Sequence, residues 1–220
     1  HCQKFVAIEK ADLVAICDLD EDRARRRAKE YDCLFFRKYK EMPGDLDAVM
    51  IATSTPSHYE IAKHFLEKGV HVLIEKPITE KVDQAEELCR IAEENDLILQ
   101  VGHVERFNPA LVSATEKLRE PLFIECHRLA PFKPRSIDVD VVLDLMIHDI
   151  DVILSLVNSS VTHVSAVGTP VITPYVDIAN ARLEFESGSV ANITASRVSQ
   201  SEKRKFRVFQ ETQYLSIDFG

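Results

Sequence analysis

The sequence predicts an α/β protein: a doubly wound parallel sheet, followed by an α+β domain around an open, mostly antiparallel sheet. Three observations carry this. In the first hundred residues, short Val/Ile/Leu-rich runs alternate with amphipathic helical stretches, as they do where βα units feed a parallel sheet buried on both faces. Beyond that the apolar runs lengthen and alternate: Ala181, Leu183 and Phe185 are interleaved with Arg182, Glu184 and Glu186, the pattern of strands with one wet face. A chain of 220 residues that is 45% hydrophobic can bury two such cores. The boundary is placed between residues 1–102 and 103–220.

In order, residues 1–9 read as a first helix. Residues 12–17, 46–53, 70–74 and 97–101 read as four strands. Residues 57–68 form a helix with Ile61, Ala62, Phe65 and Leu66 on one face and Gly69 as its terminator. Residues 80–94 form another, with Val82, Ala85, Leu88, Cys89 and Ala92 inward. In the second half, 109–119 and 139–156 read as helices, and 122–129, 161–167, 176–185, 190–198 and 214–219 as strands. Ser187-Gly188 forms a hairpin turn.

Composition excludes several classes. A formal charge of −9 argues against a duplex nucleic-acid binder, which needs a basic face. No apolar run reaches the roughly 20 residues that span a bilayer, and the opening residues lack a leader pattern. The five cysteines, Cys2, Cys17, Cys33, Cys89 and Cys126, show no CxxC spacing and read as small buried residues in a reducing compartment. The expectation is a cytoplasmic protein.

Doubly wound sheets bind ligands at the carboxyl ends of their strands. The candidate positions are therefore Asp18, residues 53–58, Glu75 to Pro77, and Gly102 onward. An acidic residue ending a strand, as Asp18 does, accepts hydrogen bonds from the adenosine ribose in a Rossmann-type domain and repels a 2′-phosphate, favouring NAD over NADP. The competing reading makes Asp18 a helix cap ahead of Glu21 and Asp22. No GxGxxG occurs anywhere in the chain. The expectation is that the first strand and its Gly loop precede His1 and that the second domain continues past Gly220; the rival is a fold of this shape that binds no dinucleotide.

Four segments in register carry a resemblance: Ala52-Thr53-Ser54-Thr55-Pro56-Ser57-His58, Glu75-Lys76-Pro77, Gly102-His103-Val104-Glu105-Arg106-Phe107-Asn108-Pro109, and Asp144-Leu145-Met146-Ile147-His148-Asp149-Ile150-Asp151. In this order and spacing the chain resembles the Gfo/Idh/MocA family. Within it, Gly102 to Pro109, Arg128 to Phe132 and the Asp144–Asp151 stretch look closest to the nucleotide-sugar branch that includes UDP-N-acetylglucosamine 3-dehydrogenases. The resemblance implies an NAD-dependent dehydrogenase acting on CH–OH groups, with His148 matching the catalytic histidine. That role stands on chemistry too, since an imidazole ordinarily titrates near neutrality and suits removal of a hydroxyl proton. Asp144, four residues earlier, shares its helix face and would orient substrate hydroxyls. Lys76 would bind the reacting hydroxyl, and Glu75 the nicotinamide ribose or Lys76 itself. Pro77 would fix the turn, with a cis bond allowed. Thr53, Thr55, Pro56 and His58 match the cofactor-contacting turn, although His58 fits equally as a helix N-terminal residue without a ligand.

Arg106 and Asn108 are substrate-side candidates, with an interdomain salt bridge as the alternative for Arg106. Arg128 and Arg135 flank a loop suited to a diphosphate, or are simply solvated. Each of the others also has a plain structural alternative: a surface turn for Glu75-Lys76-Pro77, a dipole partner for Asp144, a half-buried ring for His148. Many relatives carry glycines where this chain has Val141, Val142 and Met146, so the substrate is not transferable from inositol or glucose enzymes. No metal is expected, because hydride transfer to NAD needs none. The leading expectation is oxidation of a secondary hydroxyl on a nucleotide-linked amino sugar by a homo-oligomer, dimer or tetramer. The alternatives are a free sugar or polyol substrate, and a non-catalytic dinucleotide-binding regulator.

Overall fold

The computed structural model describes residues 1–133 and 139–220. The chain divides into two compact units, His1–Gln100 and Val101–Gly220.

The first unit alternates strands and helices. Helix α1 (Cys2–Val6) is followed by β1 (Ala15–Cys17), α2 (Glu21–Tyr31), β2 (Leu34–Phe36), β3 (Ala48–Ile51), α3 (His58–Leu66), β4 (His71–Ile74), α4 (Val82–Glu94) and β5 (Leu99–Val101). All pairings recorded among these strands are parallel, but they form two sheets: β1 with β2, and β3-β4-β5 in that order. Phe65, Leu66, Val72, Ile74, Leu88 and Ile91 supply the core. Gly69 ends the α3 turn at φ +78, a left-handed conformation that glycine adopts without Cβ strain.

Several sequence expectations are corrected here. The first helix stops at Val6 rather than near residue 9. Strand β2 was not anticipated. On α4 the buried positions are Leu88, Ile91 and Ala92, whereas Val82 is 74% exposed and Cys89 is exposed. The apolar stripe runs through Ile91, a 3.6-residue step that Cys89 misses. Among the cysteines only Cys126 is fully buried.

The second unit holds α5 (Pro109–Thr115), β6 (Phe123–Leu129), α6 (Ile147–Leu156), β7 (Val161–Thr169), β8 (Ile178–Phe185), β9 (Val190–Ser196), β10 (Lys203–Gln210) and β11 (Gln213–Asp218). Six strands make one sheet ordered β11-β10-β6-β9-β8-β7. Every pairing is antiparallel except β6 with β9. Strand β10 was not foreseen, and α5 ends four residues earlier than expected. The β8–β9 hairpin turns at Gly188, φ +86. Alternation places Ala179, Ala181, Leu183 and Phe185 of β8 against Ile153, Val152 and Met146 in one core, with Ile124, Ile193 and Phe206. The opposite sheet face is open, and all nine residues of β7 are exposed.

A buried carboxylate shapes the connection from β7 to β8. Asp177 is fully buried. Its Oδ2 accepts backbone N–H bonds from Val171 (2.8 Å), Ile172 (2.7 Å) and Thr173 (2.8 Å), and its Oδ1 accepts the Thr173 hydroxyl at 2.7 Å. Burial alone raises a carboxyl's pKa, but these donors overcome it and hold Asp177 well below the usual carboxylate range. A depressed folded-state pKa stabilises above the unfolded value of roughly 3.9, and that stability is lost as pH falls toward the folded value. Asp177→Asn is expected to lose about 1–3 kcal/mol at pH 7. In urea denaturation its gap from wild type should narrow below about pH 4. A gap independent of pH would count against the carboxylate account.

Candidate active site

In the first unit, the sequence-predicted cofactor residues stand at the carboxyl ends of parallel strands. Asp18 follows β1, its N–H bonded to Phe36 O at 3.1 Å. It is not the helix cap: Asp20 caps α2 by accepting the Arg23 N–H. Asp18 instead receives the Arg23 guanidinium, Nη2 to Oδ1 at 2.7 Å, and the Asp20 N–H at 3.0 Å. The Arg23 hydrogen bond, assisted by that N–H, lowers its pKa despite partial burial. The carboxylate is thus held charged at a strand end with its side chain 26% accessible.

After β3 the chain enters a 3₁₀ turn, Thr55–Ser57, with Pro56 at its start. The Ser57 hydroxyl lies 2.8 Å from Thr53 Oγ1 and 2.7 Å from Ser54 O, a tight local closure. Thr53 and Pro56 are exposed, and Thr55 is buried. His58 opens α3 and is 1% exposed, so its ring faces protein. After β4, Glu75 donates its N–H to Ile51 O (2.9 Å), and its carboxylate meets His1 at 3.0 Å. Lys76 is half-buried, and the Lys76–Pro77 bond is cis. Exposed hydroxyl and prolyl groups, a charged carboxylate and a half-buried lysine at successive strand ends fit a dinucleotide.

The second unit places Asp144 and His148 on one stretch of helix, but not the expected single α-helix. Val142–Met146 is a π-helical turn that runs directly into α6. Asp144 lies within the wide turn and His148 in the first turn of α6, both half-buried. Such π segments accumulate at functional sites. Asp140 begins the segment, its Oδ1 accepting the Val142 and Leu143 N–H groups at 3.0 Å each. Glycine is absent here, and the buried Val141 and Met146 pack into the core.

The arginines named as substrate-side candidates make ion pairs within the second unit. Arg128, 5% exposed, donates twice to Asp149 at 2.9 Å and once to Glu105 at 3.0 Å. Arg106 makes a two-point pair with Asp151, at 2.8 and 2.6 Å. Asn108 caps α5 through the Ala110 N–H at 3.0 Å. These contacts account for all three as supports of the helix that bears His148 and of α5. Arg135 lies outside the described residues. The sequence does not single out Glu105, Asp149 or Asp151 as partners of these arginines; among the described residues no group of three or more His, Cys, Asp or Glu is placed to hold a metal. Nothing local marks pairs 23, 21 and 45 residues apart.

The chain is similar to the UDP-N-acetylglucosamine 3-dehydrogenase of Acidithiobacillus ferrooxidans, at 40% identity covering all of this chain and 70% of that protein. The solved structure of that organism's UDP-N-acetylglucosamine 3-dehydrogenase GnnA matches with a TM-score of 0.93, covering all of this chain and 72% of the other at 40% identity. The scyllo-inositol 2-dehydrogenase (NAD(+)) of Bacillus subtilis is 28% identical over 90% of this chain and 64% of its own length. The chain thus spans about two thirds of these curated relatives. Residues 1–103 match the family model described as an oxidoreductase family with an NAD-binding Rossmann fold, and residues 120–216 match the GFO/IDH/MocA C-terminal domain. With both halves matched in order, the chain belongs to the Gfo/Idh/MocA family of NAD-binding oxidoreductases.

Proposed function

We propose that the chain serves NAD-dependent oxidation of a secondary hydroxyl on a nucleotide-linked amino sugar, in the manner of the UDP-N-acetylglucosamine 3-dehydrogenase to which it is 40% identical throughout. The observation that carries this is Asp144 and His148, half-buried four residues apart across the π-to-α junction, in a chain that matches that relative over all of its own length and 70% of the relative's. Oxidation of a carbinol removes a proton from oxygen and a hydride from carbon; NAD, when bound, takes the hydride. His148 takes the hydroxyl proton. Asp144 orients the substrate hydroxyls and supports the charge formed on His148. Lys76 stabilises the developing alkoxide, and Glu75 holds the nicotinamide ribose or Lys76 itself. Asp18 takes the adenosine ribose, with Thr53 and Pro56 lining the cofactor side and the buried Thr55 and Pro77 shaping the two turns from within.

The same reading makes the protein a cytoplasmic homo-oligomer, dimer or tetramer, whose open sheet face lies between subunits. Its support is that face's exposed apolar content, Val167 at 67% and Ile178 at 38%. Among the described residues no helix is long and apolar enough to cross a membrane.

The discriminating experiment is thermal unfolding with candidate ligands, followed by NADH production. UDP-N-acetylglucosamine with NAD is expected to raise Tm by several degrees, by preferential binding to the folded state, and to support turnover. Scyllo-inositol and glucose are expected to do neither. Protection by a free polyol alone would move the substrate to that class. Cofactor binding without turnover on either would favour a regulator.

A further inference from the structure

The turn that carries Lys76 is tied to its neighbour by a side chain that is itself out of reach of any ligand. The β3–β4 ladder runs in parallel register to Ile51↔Ile74 and is extended by the Glu75 N–H on Ile51 O. At the turns beyond the ladder, the His58 ring stands between the two chains. Its Nδ1 lies 2.8 Å from Pro77 O, and its Nε2 lies 3.1 Å from Thr53 O. One residue therefore bridges the turn after β3 and the turn after β4, five and 19 positions away. A carbonyl only accepts, so a ring nitrogen that bonds one must donate, and the shorter contact is that of Nδ1 with Pro77 O. At 1% exposure the ring has no surface left for a cofactor. An apolar side chain of similar bulk would fill the same space but leave the Pro77 carbonyl without this donor, and buried carbonyls are rarely left so.

We infer that His58 is a positioning residue for Lys76: through the Pro77 carbonyl it fixes the turn that presents the lysine, instead of contacting NAD. The inference rests on the reading of Lys76 given above. Asparagine at this position places its amide nitrogen where Nδ1 stands and retains the Pro77 bond. Glutamine reaches toward Thr53 instead, and leucine makes neither bond.

The experiment compares His58→Asn, His58→Gln and His58→Leu in the complete protein, with Lys76→Met as control. It reads kcat with UDP-N-acetylglucosamine, NADH affinity, AMP affinity and Tm. Displacing a catalytic group by about an ångström costs on the order of 100-fold. The Leu and Gln variants are therefore expected to lose roughly 10- to 100-fold in kcat and about tenfold in NADH affinity, with AMP affinity retained; the Asn variant should stay within about threefold of wild type. If all three variants lose kcat, NADH and AMP binding together in step with Tm, the role is merely structural and the inference is overturned. Wild-type kcat and NADH affinity in the Gln and Leu variants overturn it as well. If Lys76→Met leaves kcat unchanged, the reading of Lys76 itself fails, whatever the His58 variants show. Should the Leu variant not fold, the Gln variant, polar and of similar length, carries the comparison.

Discussion

His148→Asn is expected to lower kcat by about 10²- to 10⁴-fold, the range contributed by a well-placed general base. NADH affinity and Tm should change little. Asparagine keeps polarity and approximate size at a half-buried position, so packing against the second-unit core survives while the titratable nitrogen is removed. The pH dependence gives a second readout. Oxidation needs the base deprotonated, so the wild-type rate should fall on the acid side as the imidazole gains a proton, and the variant should lose that limb. Asp144→Asn should cost less, since it removes orientation and charge support but leaves the base. Unchanged turnover in His148→Asn would assign proton removal elsewhere. Lost NADH binding in that variant would make the residue structural.

That pair was legible as a candidate through the resemblance of residues 144–151 to the family pattern, since the i, i+4 spacing alone also fits a purely structural helix. The geometry that displays it was not. The π turn at Val142–Met146 is a property of backbone hydrogen bonding, and the apolar spacing of Val141, Leu145 and Ile153 reads equally well as plain α-helix. Strands β3, β4 and β5 were visible as short aliphatic runs. Strand β2 was not, since three residues with Leu34 54% exposed leave almost no periodic signal. Strand β10 did carry a period-2 signal, Phe206 and Val208 inward, but Lys203, Arg204, Lys205 and Arg207 obscured it. Lys203, Lys205 and Arg207 occupy the wet face, and Arg204 shares the face of Phe206 and Val208 near the strand's start, so local polarity misleads where alternation does not.

The same limit explains the arginines and His58. An isolated Arg in a loop-rich segment looks like an anion ligand, because its charge is visible and its partner is not. Arg128 on β6 finds Asp149 on α6 and Glu105 in the 3₁₀ turn Val104–Phe107 only once the chain has folded. His58 bonds two backbone carbonyls, groups every residue carries and no sequence pattern distinguishes. Burial is the observation that separates a ligand-facing group from one that holds the site in place. By that measure Thr53, Pro56 and Lys76 keep a surface, while His58 and Arg128 do not.

Arg128→Met is expected to destabilise the protein by about 3–5 kcal/mol, the cost of leaving a buried charge without its partner. Asp149 is 2% exposed. Burial pushes its carboxyl above the usual range, and the Arg128 guanidinium opposes that rise. Without the guanidinium the carboxyl rises further. A folded state with a raised carboxyl pKa binds protons more tightly than the unfolded chain, so the variant's stability should fall as pH climbs from about 4 through the raised value. Urea denaturation at pH 5 and pH 8 should therefore show the larger deficit at pH 8. Asp149→Asn in the Arg128→Met background removes the orphaned charge and should recover a good part of the loss, though Glu105, 16% accessible by side chain, still lacks its donor. Because Asp149 follows His148 directly on α6, the same substitution should also lower kcat in protein that remains folded, and the double variant should recover stability more fully than rate. Equal recovery of both would reduce the network to a stabilising role. Recovery of stability alone would mean that the Arg128–Asp149 pair sets the angle at which α6 presents its histidine.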